Sequence, residues 1–233
     1  MKKFIACLTM IALLITCFSG MALAKQPNEG SKPSKVVDYT VDTPDVYGDT
    51  AKTAESQVSI KLLYNYNINM PVPIFGQRWS PWSTDLMKTL NYTIGSSGCA
   101  LTSCTMVAKY YGKNTDPRVF NIAMGNDACP LNWYSVSSKG GSGYISGIDT
   151  IVSYPSLYQV LSYARTALEQ NKPVILGYVK PSGNTHYVVI KAVYGQGTSL
   201  SDFGCNDPWT GAYSNLYDTI GSQPLYKIVI YNR

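Results

Sequence analysis

The sequence predicts an α+β chain, with helices in the first part of its globular portion and an antiparallel sheet in the second. Three observations lead there. Leu101, Cys104, Val107, Ala108 and Tyr111 recur at helical spacing, the stripe of an amphipathic helix. Leu157, Val160, Leu161, Ala164, Ala167 and Leu168 repeat that period between Ser156 and Asn171. After Pro173 the chain changes to short runs rich in β-branched residues. These are separated by Pro181-Ser-Gly183 and Tyr194-Gly-Gln-Gly197, which read as tight turns between antiparallel neighbours.

Met1-Lys-Lys3 opens the chain, followed by an apolar segment from Phe4 to about Ile15 and by Ala22-Leu-Ala24. A basic head, a hydrophobic middle too short to span a bilayer and alternating small residues describe a secretory signal peptide over residues 1–24. A secreted protein is expected, associated with the cell wall or free, with no stable membrane insertion after cleavage. Loss of Lys2 and Lys3 lowers the formal charge from +5 to +3. That charge is too small for a nucleic-acid partner, and no stripe of Lys and Arg interleaved with aromatics is present. Cys7 and Cys17 leave with the leader, so Cys99, Cys104, Cys129 and Cys205 remain in a compartment that permits disulfides. Cys129 and Cys205 could pair, which the sequence leaves open. Zinc is not expected: only Cys99 and Cys104 approach ligand spacing, and five apart on one helix they face different ways. No metal or cofactor is implied.

Residues 25–61 are polar, with Pro27, Pro33 and Pro44, and Tyr39 and Tyr47 as their only aromatics. Such a stretch buries little, so a linker is expected, with a short pro-segment as the functional alternative. Residues 62–233, about 170 in all, suffice for one domain with a sizeable core, expected to be a monomer. The 19 tyrosines and a 14% share of charged residues suit an extracellular protein. The tyrosines are read as fillers of half-buried strands rather than as a glycan-binding surface. Asn91-Tyr-Thr93 matches a glycosylation sequon, taken as incidental beside a leader of bacterial look.

Within the domain, Gly95-Ser-Ser-Gly98 leads into Cys99, which should head the first core helix, and Gly112 offers its stop. Asp116 and Pro117 read as cap and first turn of a short helix reaching Met124. Gly125 to Tyr154, with Trp133, is expected to be an irregular insertion edging a substrate groove. Strands are expected over 174–179, 186–193, near 199–205 and over 225–231.

Four residues carry the candidate chemistry. Cys99 at a helix N-terminus would meet N–H groups and the positive end of the dipole, which favour a thiolate. The chain has a single histidine, His186, so Cys–His chemistry must use it or none. Asp207, in Cys205-Asn-Asp-Pro-Trp-Thr-Gly211, could orient the imidazole, with Asn206 as a rival. Gln77 precedes Cys99 by 22 residues and could donate to an oxyanion. Cys104 is read as packing, and Trp79 and Trp209 as packing for the motif loops.

The order Gln77-Arg-Trp79, Gly98-Cys99-Ala100 with Tyr110-Tyr111-Gly112, His186-Tyr-Val-Val189 and Asn206-Asp207-Pro208-Trp209-Thr-Gly211 resembles that of papain-like cysteine peptidases. The closest branch is that of the bacteriocin leader (double-glycine) peptidases, and the resemblance runs from about Pro71 to the C-terminal end. It implies a papain-like fold in which the cysteine helix packs against the histidine strand. It also implies a peptidase in which Cys99, His186 and Asp207 form a triad and Gln77 shares the oxyanion hole with the Cys99 N–H. The partner would be a peptide or protein substrate. Two alternatives stand beside it: an amidase or endopeptidase of the same chemistry acting on cell-wall peptides, and an inactive papain-like surface-binding module. No Gly-x-x-x-x-Gly-Lys-Ser/Thr motif is present, which argues against the peptidase part of an exporter.

Overall fold

A computed structural model describes residues 34–37, 62–88 and 91–233. The signal peptide expected over 1–24 lies outside the described residues, as does the 25–61 stretch apart from strand β1, Ser34–Val37. In chain order there follow β2 (Leu62–Asn69), β3 (Leu86–Met87), β4 (Tyr92–Thr93), α1 (Ile94–Ser97), α2 (Cys99–Tyr110) and α3 (Pro117–Met124). The second part holds β5 (Gly147–Ser153), α4 (Leu157–Glu169), β6 (Val174–Val179), β7 (Thr185–Gly195), β8 (Phe203–Asp207), β9 (Ala212–Asn215), α5 (Leu216–Ile220) and β10 (Leu225–Asn232).

The main sheet runs β1-β2-β7-β6-β10-β5, with β8 on β7 and β9 on β8, every pairing antiparallel. Long β7 is its spine: Thr185–Ile190 pairs with β6, Ala192–Gly195 with β2, and Val189–Val193 with β8. Val174, Ile175 and Leu176 of β6 and Val188, Val189 and Ile190 of β7 are all fully buried. Successive strand residues point to opposite faces, so both faces are covered here. α2 and α4 both pack against β7.

The mixed α+β architecture agrees with the expectation, and several local readings hold. Asp116 caps α3 by accepting from Val119 N–H at 2.8 Å, with Pro117 as its first residue. Ser156 and Gln159 form a capping box at the head of α4. Gly112 follows α2 with φ +102°, where a side chain would be strained.

Six strands lie outside the expected ones: β1, within the stretch expected to be a linker, β2, β3, β4, β5 and β9. β5 occupies the end of the segment read as irregular and pairs with β10; its Asp149 and Thr150 hide an edge strand among polar residues. β9 lies in a stretch with no apolar run. β2 was legible but not assigned: buried Tyr66, Ile68 and Met70 alternate with exposed Asn65, Asn67 and Asn69.

Helix α2 also differs from a one-sided stripe. Besides the predicted apolar residues, Thr102, Ser103 and Thr105 are fully buried. Thr105 Oγ1 donates to Leu101 O at 2.8 Å and Ser103 Oγ to Tyr187 O at 3.4 Å, so two of these hydroxyls are satisfied inside the core. A helix buried on nearly all sides cannot be told from a surface helix by apolar spacing alone.

Candidate active site

The cysteine is set by a helix start that only glycine permits. Thr93 caps α1, and α1 ends at Gly98, where a Cβ would meet Ile94 O at 2.5 Å. The chain therefore turns tightly into α2 and makes Cys99 its first residue, as the sequence predicts. The backbone N–H groups of Tyr187, Ala100 and Cys99 itself approach the thiol, and Lys180 is its nearby cation. Burial nevertheless outweighs these contacts and pushes the thiol above its ordinary value of 9.0. This corrects the expectation of a thiol made acidic by the helix end alone. The dipole supplies only a partial charge, whereas a thiolate removed from water loses most of its hydration.

His186 sits near the start of β7, opposite Tyr178 of β6, whose ring meets it edge-on at 5.6 Å. Its Nε2 lies 2.7 Å from Oδ1 of Asp207, the last residue of β8. Burial would raise the Asp207 pKa, but the hydrogen bond and charge of His186, the Trp209 N–H and Lys180 together hold it below its ordinary 3.8. As a carboxylate Asp207 can only accept, so Nε2 carries the proton of this contact and Nδ1 is the other ring nitrogen. The rival Asn206 points elsewhere: its Nδ2 donates to Val72 O at 3.1 Å and Pro73 O at 3.3 Å. It ties β8 to the chain that leads toward Gln77.

Gln77 is buried, and its Nε2 donates to Gly95 O at 3.1 Å with Ile94 O at 3.4 Å, while its Oε1 has no partner. Its backbone N–H donates to Pro208 O at 2.7 Å. Trp79 packs beside Gly76 and Gly211, and at Gly211 (φ +65°) a Cβ would meet its indole at 2.6 Å. The glutamine loop and the aspartate loop are thus locked together, with Trp79 in the packing role read for it. Trp209, exposed to nearly the same degree as Trp79, packs edge-on against His186 and also lines the cleft.

That cleft holds about 840 Å³ and brings together Gln77, Cys99 and His186, with Asp207 behind the imidazole. Trp133 and Cys129 of the 125–154 segment line it too, in keeping with the expected groove edge. Lys180, Lys227 and Tyr187 are cleft residues that sequence reasoning missed. Lys180 lies in the turn six residues before His186, and nothing in a single sequence marks it as such. All four described cysteines are free thiols, so the Cys129–Cys205 bridge is not formed. Cys205 instead contacts the hydroxyls of Thr219 and Ser214, and burial pushes its pKa up to about 11.

A thiol and an imidazole lining one cleft, the imidazole's Nε2 held by a carboxylate, with N–H groups at a helix head, provide the parts of thiol-based acyl transfer. The family comparison agrees with that class. A model of the family described as "Peptidase_C39 like family" matches residues 70–230, and the chain belongs to this family, a branch of the papain-like cysteine peptidases. A crystal structure of a Bacillus anthracis protein described as a C39-like peptidase aligns over 72% of this chain and 98% of that one, at 15% identity and a TM-score of 0.37. So loose a likeness carries no argument here. No curated protein matches the chain.

Proposed function

We propose that this protein is an exported cysteine peptidase in which Cys99, His186 and Asp207 act as a triad. The observation that carries the reading is the 2.7 Å contact between His186 Nε2 and Asp207 Oδ1 at the back of the cleft that holds Cys99. Because Nε2 is committed to Asp207, Nδ1 is the nitrogen free to take the thiol proton. The imidazolium so formed supplies the positive charge that burial of a lone thiolate lacks. The thiolate then attacks the peptide carbonyl carbon, and the N–H of Cys99 donates to the oxyanion, joined by the Gln77 amide as it exchanges its weaker 3.4 Å contact with Ile94 O for the substrate oxygen. The C–N bond breaks as Nδ1 returns its proton to the leaving amine. Water, deprotonated by the same nitrogen, hydrolyses the thioester and frees the thiol. The leader over residues 1–24 supports export, and wall peptides are substrates within its reach.

The test is the pH dependence of iodoacetamide alkylation at Cys99, beside His186→Ala. Alkylation should begin well below the free-thiol value of about 8.5. In the mutant it should move above that value, since burial alone raises this thiol. An alkylation profile that ignores the mutation would remove the Cys–His pair and leave the binding-module reading.

A further inference from the structure

The charge lining the cleft is one-sided. Beside His186, its charged described residues are Lys180 and Lys227, with no Asp or Glu. Asp207 stands behind the imidazole, and its Oδ1 is already engaged by His186 and by the Trp209 N–H at 2.8 Å.

Two cations stack on the cleft residue Trp209: Lys180, which itself lines the cleft, and Arg78, which is not part of that lining. Lys180 Nζ lies 4.4 Å and Arg78 Cζ 4.9 Å from the centre of a Trp209 ring, and that side chain meets His186 edge-on at 6.5 Å. Cation–π contact steadies both side chains but leaves their N–H donors unused. Among the described residues, neither cation forms an ion pair. Lys180 also acts on the Asp207 carboxylate, and an anion arriving beside Trp209 would meet two positive charges held on one side chain.

The position gives the anion its place on a substrate. In the proposed mechanism His186 protonates the leaving amine, so groups beyond His186 face the leaving-group side of the scissile bond. We propose that Lys180, set on Trp209 beside His186 and backed by Arg78 on the same side chain, binds a carboxylate just downstream of the cut. Such a carboxylate comes either from an Asp or Glu side chain or from the free C-terminus of a short substrate. This inference rests on the peptidase reading above and names its substrate class.

The experiment starts from a mixed peptide library and maps the cut in one cleaved peptide. That peptide is then remade with Glu or Gln at the two positions after the cut, and separately shortened there to end as acid or amide. We expect kcat/KM about tenfold higher for Glu over Gln if the side chain is the source, or for acid over amide if the terminus is. The preference should shrink at 0.5 M salt, where exposed charges are screened. In the Arg78→Gln/Lys180→Gln double variant the ratio should fall to within about twofold. The ratio is the readout because Lys180 also acts on Cys99, so absolute rates will fall for a second reason. Cleavage with no preference, or a preference that survives the double variant, would overturn this inference alone. Failure to cut any library peptide would overturn the peptidase reading and this inference with it.

Discussion

Cys99 and Cys104 share one helix, lie five residues apart and are both buried, yet they inhabit different chemistry. Burial raises both thiols. Around Cys104 the one opposing influence is a hydrogen bond with Tyr231, whereas Cys99 meets three backbone N–H groups, the charge of Lys180 and an open cleft with His186. Burial therefore does not distinguish a reactive cysteine from an inert one. What distinguishes them is whether the surroundings can stabilise the charge that burial penalises.

The sharpest way to break this comparison is to delete each sulfur in turn. Cys99→Ala should lower peptide hydrolysis by on the order of 10⁴-fold or more while leaving urea stability nearly unchanged. Cys104→Ala should do the reverse, costing about 1 kcal/mol of stability through a small cavity with kcat retained. Equal losses of activity in the two variants would show that the helix end has no special standing.

The neighbours Asn206 and Asp207 extend the contrast to β8. Asp207→Asn should reduce kcat by about 10²–10⁴-fold, because an amide no longer holds the Nε2–H tautomer. Asn206→Ala should act on stability instead, by about 1–3 kcal/mol, since the Val72 and Pro73 carbonyls lose their buried donor. Steady-state kinetics and thermal unfolding on the same preparations separate the two. For pH, the lowered Asp207 pKa gives stability that is present above its unfolded value of about 3.9 and lost as pH falls through the lower folded value.

Gln77→Ala is expected to lower kcat by about 10²–10³-fold with little change in KM, the pattern of an interaction made only in the transition state. A change in KM alone would reduce Gln77 to a loop anchor through Gly95.

The smallest effect concerns Cys205, the thiol without a cleft. Its folded pKa, raised from 9.0 to about 11, favours the protonated form, so its stability contribution is full below the unfolded value and falls as pH rises from about 9 to 11. Cys205→Ala should make the alkaline decline of unfolding free energy shallower across that window.

Much of this was readable along the chain. The capped helices, the nucleophile candidate behind Gly98, the lone histidine on a β-branched strand and the Asn-Asp-Pro-Trp turn are local patterns, and each reflects interactions among residues close in sequence. Edge strands β5 and β9 escaped because their stability comes from partners, Val229 of β10 for Ile151 and Cys205 of β8 for Ser214, not from their own composition.

Only the tertiary structure shows which of Asp207 and Asn206 contacts His186. Both sit at the end of β8 with similar side chains, and the outcome depends on which face of the strand looks toward His186 and which toward Val72 and Pro73. It likewise decided that burial overrides the helix end at Cys99, and that Lys180 and Arg78 meet on Trp209 across more than 100 positions of chain. Local propensity determines which elements form. Desolvation and charge pairing depend on what those elements bring together, and no single stretch of sequence contains that information.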